Sequence, residues 1–487
     1  MIHLKPLNKI EVASLASFLL IFFIGILSNA EVTLWGCIFF FSWLFIVEFC
    51  KEYLPVIFLL AIWFVPGQTA TGGLLADYQV FRWVTHIAIP STVAYYFVRD
   101  FLRKKRWDLS PFFLPIGLIF FTICISGIYN QSNPLDFVSC LLIYLRYPLL
   151  FLLLINWDIK DTSLERVVPC FLALTLLQIP EVFIRALVFG IRGDAISFSL
   201  GPWGSFNLGI YFLYTSAFIT AHAITAKIKW YHILMMATFL LIAGLGEIKA
   251  LWFFFAPVIF SVYLTERKGF TKSITRLLVL LFIGGLGLYI VFQNWDTLTQ
   301  GQTNALYKLT SFIKGLLQGK KLHELPWIFR IEQINIVAYL LVSSLGNLFI
   351  GFGPGSSLAG NFSGNPGVIA STLNWLIWRD VTMIQWVTLA GDIGIVGLLS
   401  FVFLFFRIAT FAFQFSSDLS NPKWAIYANA FSGIFVFYAL LGPFYNIVWR
   451  FDGSNFIMWT LLAILYRKYS KQRSLHFSPI PLIKDRA

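Results

Sequence analysis

Long apolar runs recur along almost the whole chain, each at the length of a helix that crosses a bilayer. A hydrocarbon core of about 30 Å needs about 20 apolar residues in a helix, and by that measure the pattern predicts about fourteen spans. They lie at residues 11–29, 32–49, 53–66, 81–98, 110–128, 136–155, 167–189, 206–226, 230–246, 249–265, 274–293, 385–408, 422–441 and 455–468. Helices are expected because lipid offers no hydrogen-bond partner to free backbone groups.

Basic residues concentrate in alternate connections between these spans. If the N-terminus is cytoplasmic, every connection on that side carries Lys or Arg, and the densest group lies at residues 99–106. An excess of Lys and Arg in cytoplasmic loops is the signal that orients helical membrane proteins. The pattern therefore predicts a multi-pass membrane protein with both termini in the cytoplasm.

Composition supports this interpretation and narrows the partners. Of the 487 residues, 58% are hydrophobic and only 12% are charged, whereas soluble domains carry about 25% charged residues. The net charge of +13 is then mostly an orientation signal with a weak attraction to anionic lipid. Membrane lipid is an expected partner, and nucleic acid is not.

One connection is far longer than the others. Together with the C-terminal tail, it gives the chain four predicted parts. Residues 294–384 form an extracytoplasmic loop that opens with a basic amphipathic stretch, typical of helices that lie flat in the membrane interface. A second helix is predicted at about residues 331–345. The predicted parts are a bundle of about eleven spans at 1–293, the loop at 294–384, three spans at 385–468 and a basic cytoplasmic tail at 469–487.

Several cations lie where the orientation signal disfavours them, at or beyond the outer ends of spans. They are Arg192, Lys249, Arg330, Arg379 and Arg450. Any one of them can be a helix-end residue whose charged group reaches the interface. Several from different loops on one face instead favour an anion held at the membrane surface, such as a lipid-linked pyrophosphate. Arg146 lies deep in a span, where a charge is expected to face the bundle interior.

Three alternating glycines, Gly351, Gly353 and Gly355, follow the second predicted helix. Their conformational freedom allows the backbone to turn N–H groups toward an anion, as in phosphate-binding nests. A tight turn is the simpler interpretation of the same residues. A nucleotide-binding P-loop is not indicated, because no Gly-Lys-Ser/Thr follows.

The stretch from Arg330-Ile-Glu-Gln-Ile to Gly351-Phe-Gly353-Pro-Gly355 resembles a signature of the O-antigen polymerase and O-antigen ligase superfamily. Gly391-Asp392-Ile-Gly394 resembles the acidic-Xaa-Gly-Xaa-Xaa-Gly segment of that family, and Arg192-Gly193-Asp194 its Arg-Gly segment. The likeness covers roughly residues 170–410, with Asn347 standing at or near the usual proline position. It implies an all-α polytopic fold like that of C-type glycosyltransferases.

The resemblance implies a polymerase more than a ligase. Ligases of the family usually carry a histidine about nine residues before the acidic segment, and here that position is Met383. A ligase that transfers the chain to lipid A-core stays open, as does a lipid-linked oligosaccharide flippase. Against a flippase, the two halves show no internal repeat and the spans hold few paired charges.

The implied reaction transfers a sugar chain from polyprenyl pyrophosphate to an acceptor hydroxyl on the outer face of the bacterial inner membrane. Arg330 and Arg192, with Lys249 and the Gly351, Gly353 and Gly355 backbone, are the expected pyrophosphate-binding groups. Arg330 and Asp392 are the expected catalytic residues. The preferred general base is Asp392, with Glu332, Asp380 and Glu247 as the other candidates. Neither a metal nor a cofactor is expected, and a chain-length regulator is a partner that the resemblance leaves open.

Overall fold

The computed structural model describes most of the central bundle and the C-terminal helices. The described residues are 43, 46–48, 50–64, 84–105, 107–108, 110–191, 196, 200, 205–226, 228–246, 248–265, 337–357, 369, 384–416, 421–445, 448–450 and 452–476. The predicted spans 11–29 and 274–293, most of span 32–49, and most of the loop 294–384 lie outside them. Within the described ranges the secondary structure is helical and contains no strand.

Nine helices with assigned bounds lie before residue 266 in the described part of the chain. They are α1 (Leu54–Phe64), α2 (Val84–Leu102), α3 (Phe113–Tyr129), α4 (Pro134–Asn156), α5 (Asp161–Glu165), α6 (Val167–Leu187), α7 (Ser205–Thr225), α8 (Trp230–Leu245) and α9 (Lys249–Thr265). The second half contributes α10 (Leu345–Ile350), α11 (Gln385–Ser416), α12 (Pro422–Phe435), α13 (Gly442–Tyr445) and α14 (Asp452–His476). A π-helical segment, Val436–Leu441, extends α12, and a 3₁₀ turn, Val448–Arg450, precedes α14.

The predicted spans between residues 53 and 265, and the three after residue 384, all coincide with described helices. Five stretches are long and apolar enough to cross a membrane: Asp136–Asn156, Asp161–Leu187, Ser205–Thr225, Gln385–Ala412 and Pro422–Leu441. Shorter apolar helices lie at Leu54–Trp63, Phe113–Tyr129, Trp230–Leu245 and Ala250–Leu264. The chain is therefore a helical membrane protein, and the count of about fourteen spans stays a prediction.

Helix α7 forms the centre of one half of the bundle and packs against α9 and α12. Nearly all its side chains are buried. Gly433 on α12 marks the closest approach, because a Cβ there would lie 2.6 Å from Val262 Cγ2 and 3.2 Å from Ala217 Cβ. Small residues at such crossings let helix backbones approach each other where lipid supplies no hydrophobic driving force.

The helix ends predicted to be cytoplasmic meet at one end of the bundle, where polar contacts join them. Arg467 on α14 pairs with Asp161 at 2.9 Å, and Lys471 pairs with the same carboxylate. Lys423 at the start of α12 pairs with Glu165. This grouping agrees with the predicted alternation of the loops. Which side of the membrane this end faces stays a prediction.

Glu52 belongs to the same polar end and joins the start of α1 to α5. The hydroxyl of Ser163 donates to its carboxylate, and so does the Lys160 N–H at 3.2 Å. The Ser163 hydrogen bond, with smaller help from Lys160 and Lys51, lowers the pKa of Glu52 against the opposing effect of burial. Because the folded-state pKa is depressed, this stabilising contribution is present above the unfolded value and is lost as the pH falls through the folded one.

Candidate functional site

Helix α11 is broken near the end that the charge pattern predicts to face outward. Gly394 has φ 67° and ψ −170°, which is not helical, although the chain on both sides is. The span predicted at 385–408 is therefore found at its position, with an interruption at Gly394. A break inside a membrane helix frees backbone groups, which need partners from elsewhere in the protein.

The glycine segment 351–357 supplies part of those partners. The Phe352 N–H donates to the Gly391 carbonyl at 2.8 Å, and the Ser126 hydroxyl of α3 donates to the Asp392 carbonyl at 3.0 Å. Gly351 and Gly394 touch through their backbones, since a Cβ on Gly351 would lie 2.6 Å from the Gly394 nitrogen. Both have positive φ, so the contact requires glycine on each side for space and for conformation.

The Asp392 side chain lies at the centre of this contact and is 1% exposed. Its Oδ1 accepts from the Ser357 N–H at 2.9 Å and the Ser356 hydroxyl at 3.0 Å. Its Oδ2 accepts from the Tyr144 hydroxyl of α4 at 3.3 Å. Among the described residues, three neutral donors therefore hold the carboxylate and join it to the glycine segment and to α4.

The end of α3 fixes the glycine segment from the other side. The Asn130 side-chain amide donates to the Gly351 carbonyl at 3.1 Å. A Cβ on Gly353 would lie 2.5 Å from the Ser132 hydroxyl, so the segment runs against this turn with no room for a side chain. The site thus combines α3, α4, the glycine segment and the break in α11.

The structure brings together four of the predicted site residues, Asp392 with Gly351, Gly353 and Gly355. The three glycines have φ values of 81°, 102° and 85°. Four N–H groups of the segment donate within the protein: Gly351 to Asn347, Phe352 to Gly391, Ser356 to Gly353 and Ser357 to the Asp392 carboxylate. The Ser357 N–H, just beyond the glycines predicted to bind an anion, therefore holds the Asp392 carboxylate. The role of the three glycines toward pyrophosphate stays a prediction.

The remaining predicted site residues are not located. Arg192 and Arg330 lie outside the described residues, as do the alternative bases Glu247, Glu332 and Asp380. Lys249 begins α9, but its side chain is not described. The predicted convergence of cations is therefore untested. The helix predicted at 331–345 is described from residue 337, and Leu345–Ile350 forms a separate short helix that ends at Gly351.

Sequence reasoning missed the contribution of the first half of the chain. Tyr144, Ser126 and Asn130 contact the site from α3 and α4, more than 200 positions before their partners. No motif marks them. A lone Tyr, Ser or Asn in an apolar helix is equally typical of ordinary packing.

Two residues after Tyr144, Arg146 faces the bundle interior, as predicted for a charge at that depth. Its guanidinium pairs with Asp452 at the start of α14 and lies 4.7 Å from the Tyr147 ring centroid. Both charged side chains are buried. No sequence motif selects Asp452, which begins α14 in an aromatic stretch.

No protein-family model matches the chain, and a search of the curated proteins finds no relative. The argument for function therefore rests on the motifs and on the geometry of this site. No group of three His, Cys, Asp or Glu side chains suited to a metal ion occurs among the described residues. Metal independence stays a prediction.

Gln385, at the start of α11, is a further candidate for a substrate-binding residue. Its side chain is fully buried, and neither its Nε2 nor its Oε1 has a hydrogen-bond partner in the part of the chain that the structure describes. A buried amide without partners costs about 1–3 kcal/mol, and a substrate hydroxyl would satisfy it.

We expect Gln385→Leu to raise thermal stability by about 1 kcal/mol, because it removes that buried amide, and to weaken the binding of a substrate whose hydroxyl the amide would hold. Unfolding in detergent and an assay of the protein's activity measure the two effects. Gln178→Leu is the matched control, since Gln178 is also buried but takes part in an interaction, so its loss should lower stability. Unchanged activity in Gln385→Leu would exclude a role in substrate binding.

Proposed function

We propose that this protein polymerises oligosaccharide repeat units carried on polyprenyl pyrophosphate into O-antigen or exopolysaccharide. It would cross the bacterial inner membrane about fourteen times, with both termini in the cytoplasm and the reaction on the outer face. The contact between the glycine segment and the break in α11 carries the proposal. Two motifs of the resemblance, at residues 351–355 and 391–394, form a single buried unit joined by the Phe352–Gly391 hydrogen bond, at the helix ends predicted to face outward.

The reaction forms a bond between the acceptor hydroxyl oxygen and the anomeric carbon of the donor sugar. The anomeric C–O bond to pyrophosphate breaks, and the polyprenyl pyrophosphate leaves as an anion. Arg330 and Arg192, supported by Lys249, would stabilise that charge, since guanidinium groups bind two phosphate oxygens at once. Asp392 would take the proton from the acceptor hydroxyl.

The surroundings of Asp392 hold its carboxylate in a fixed orientation. Three described donors, from Tyr144, Ser356 and Ser357, contact its two oxygens. The Tyr144 hydroxyl makes the longest of the three hydrogen bonds, at 3.3 Å. It is therefore the donor that an incoming acceptor hydroxyl would most easily replace at Oδ2.

We expect purified protein, given the lipid-linked repeat unit alone, to form a ladder of polymers that Arg330→Ala abolishes. The substitution removes the charge that stabilises the leaving pyrophosphate. Arg407→Ala is the matched control, because Arg407 is exposed on α11 and away from the break. Gel analysis of the products measures both. An intact ladder in Arg330→Ala would remove Arg330 from the site.

Polymerisation should continue unchanged in EDTA, because the cationic side chains take the role that a metal would otherwise have. The same gel assay, run with and without chelator, measures this. Loss of the ladder in EDTA, with recovery on adding Mg²⁺ or Mn²⁺, would contradict metal independence.

The paired charges inside the bundle favour a flippase as the second candidate. Arg146 and Asp452 are buried within or beside spans, as charges on a transport pathway are. Folded protein that forms no ladder but moves a lipid-linked oligosaccharide across proteoliposome membranes would support that function. Donor consumption only when a lipid A-type acceptor is added would instead indicate a ligase.

A further inference from the structure

A cavity of about 760 Å³ opens among α5, α6, α7, α8 and α12, at the end of the bundle that is predicted to face the cytoplasm. Its walls are mainly apolar and include Leu172, Leu176 and Ile219. The charge pattern predicts that Asp392 lies near the helix ends that face outward, whereas the cavity lies near those that face the cytoplasm. The candidate active site therefore does not use the cavity.

The mouth of the cavity carries positive charge. Arg166 has no acidic partner among the described side chains and lies with its guanidinium 5.8 Å from the Tyr53 ring centroid. Lys423 also lines the cavity and pairs with Glu165. Two cations against one carboxylate leave the mouth attractive to an anion.

Two polar atoms at the cavity have no partner in the described part of the chain, and both come from α7. They are the Thr215 hydroxyl, in a side chain that is 1% exposed, and His222 Nδ1. Threonine in a helix commonly donates to the carbonyl one turn earlier, as Thr225 does to Ala221 at 2.8 Å. Polar atoms left without partners beside a cavity indicate a ligand that supplies acceptors.

We propose that this cavity binds an anionic glycerophospholipid from the adjacent leaflet. Its phosphate would lie against Arg166 and Lys423, its ester oxygens would satisfy Thr215 and His222, and an acyl chain would follow the apolar wall. Free phosphate would use only the mouth and leave the apolar wall exposed. A neutral lipid would leave the unpaired charge of Arg166 unmatched. This inference does not depend on the proposed polymerase activity.

The test measures the thermal stability of the full-length protein in detergent during titration with short-chain phosphatidylglycerol, phosphatidylcholine or glycerol phosphate. Phosphatidylglycerol should stabilise the protein at the lowest concentration. Arg166→Gln should weaken its apparent affinity about fivefold, the effect typical of one basic residue facing an anionic headgroup. Lys468→Gln is the matched control: its ammonium lies over the Trp424 ring at 5.2 Å and does not line the cavity.

Met235→Trp provides a second variant that fills the cavity from α8 without changing any charge. It should abolish the preference for phosphatidylglycerol over phosphatidylcholine, while the variant elutes from size-exclusion chromatography at the same volume as the wild type. Equal stabilisation by phosphatidylcholine, or by glycerol phosphate alone, would overturn the proposal. An equal loss of affinity in Lys468→Gln would also overturn it, since it would indicate diffuse surface charge.

Discussion

Arg146→Met should lower the stability of the protein by about 3–5 kcal/mol, because it leaves the Asp452 carboxylate buried without its cation. Attraction between the two charges offsets the cost of removing each from water only while both are present. Thermal unfolding of the purified protein in detergent, followed by size-exclusion chromatography, measures the loss.

The double variant Arg146→Met with Asp452→Leu should recover most of that stability, because no charge then remains buried at this point. Lys423→Met is the matched control. It breaks the Lys423–Glu165 pair, in which the lysine side chain is 52% exposed, and exposed pairs contribute only about 0–1 kcal/mol. A double variant no more stable than Arg146→Met would mean that the pair has a role beyond charge compensation.

Gly394→Ala should separate the glycine segment from α11 and abolish polymer formation. An alanine Cβ would lie 2.4 Å from the Phe349 carbonyl oxygen and 2.6 Å from the Gly351 nitrogen, both backbone atoms that cannot rotate away. Its φ of 67° adds strain. Together these effects should cost about 2–6 kcal/mol. Unfolding in detergent and the gel assay measure both consequences.

Gly117→Ala is the matched control, since Gly117 lies inside α3 with nothing within 4 Å of its added Cβ. It should stabilise the protein by about 0.5–1 kcal/mol, as alanine is the better helix former. Equal stability and activity of the two variants would show that the backbone at Gly394 can move to accommodate a Cβ at little cost in free energy. The site described around Asp392 would then not be rigid.

Much of the fold could be predicted from hydropathy, because each apolar run between residues 53 and 265 is long enough to require a helix. The break at Gly394 could not, because single glycines and a lone aspartate also occur in continuous helices. The resemblance selected Asp392 and the three glycines but did not indicate that they touch. Tyr144 and Asp452 follow from no local pattern, because their importance arises only from partners far away in the sequence.

The buried pair also has a consequence for the order in which the protein is made. Asp392 finds its described side-chain partners among residues already synthesised, namely Tyr144, Ser356 and Ser357. Arg146 precedes Asp452 by 306 residues, so α4 is synthesised long before the carboxylate with which its guanidinium pairs. The interior of the bundle around Arg146 is therefore complete only once α14 has been added, and a chain that stops before α14 lacks this ion pair.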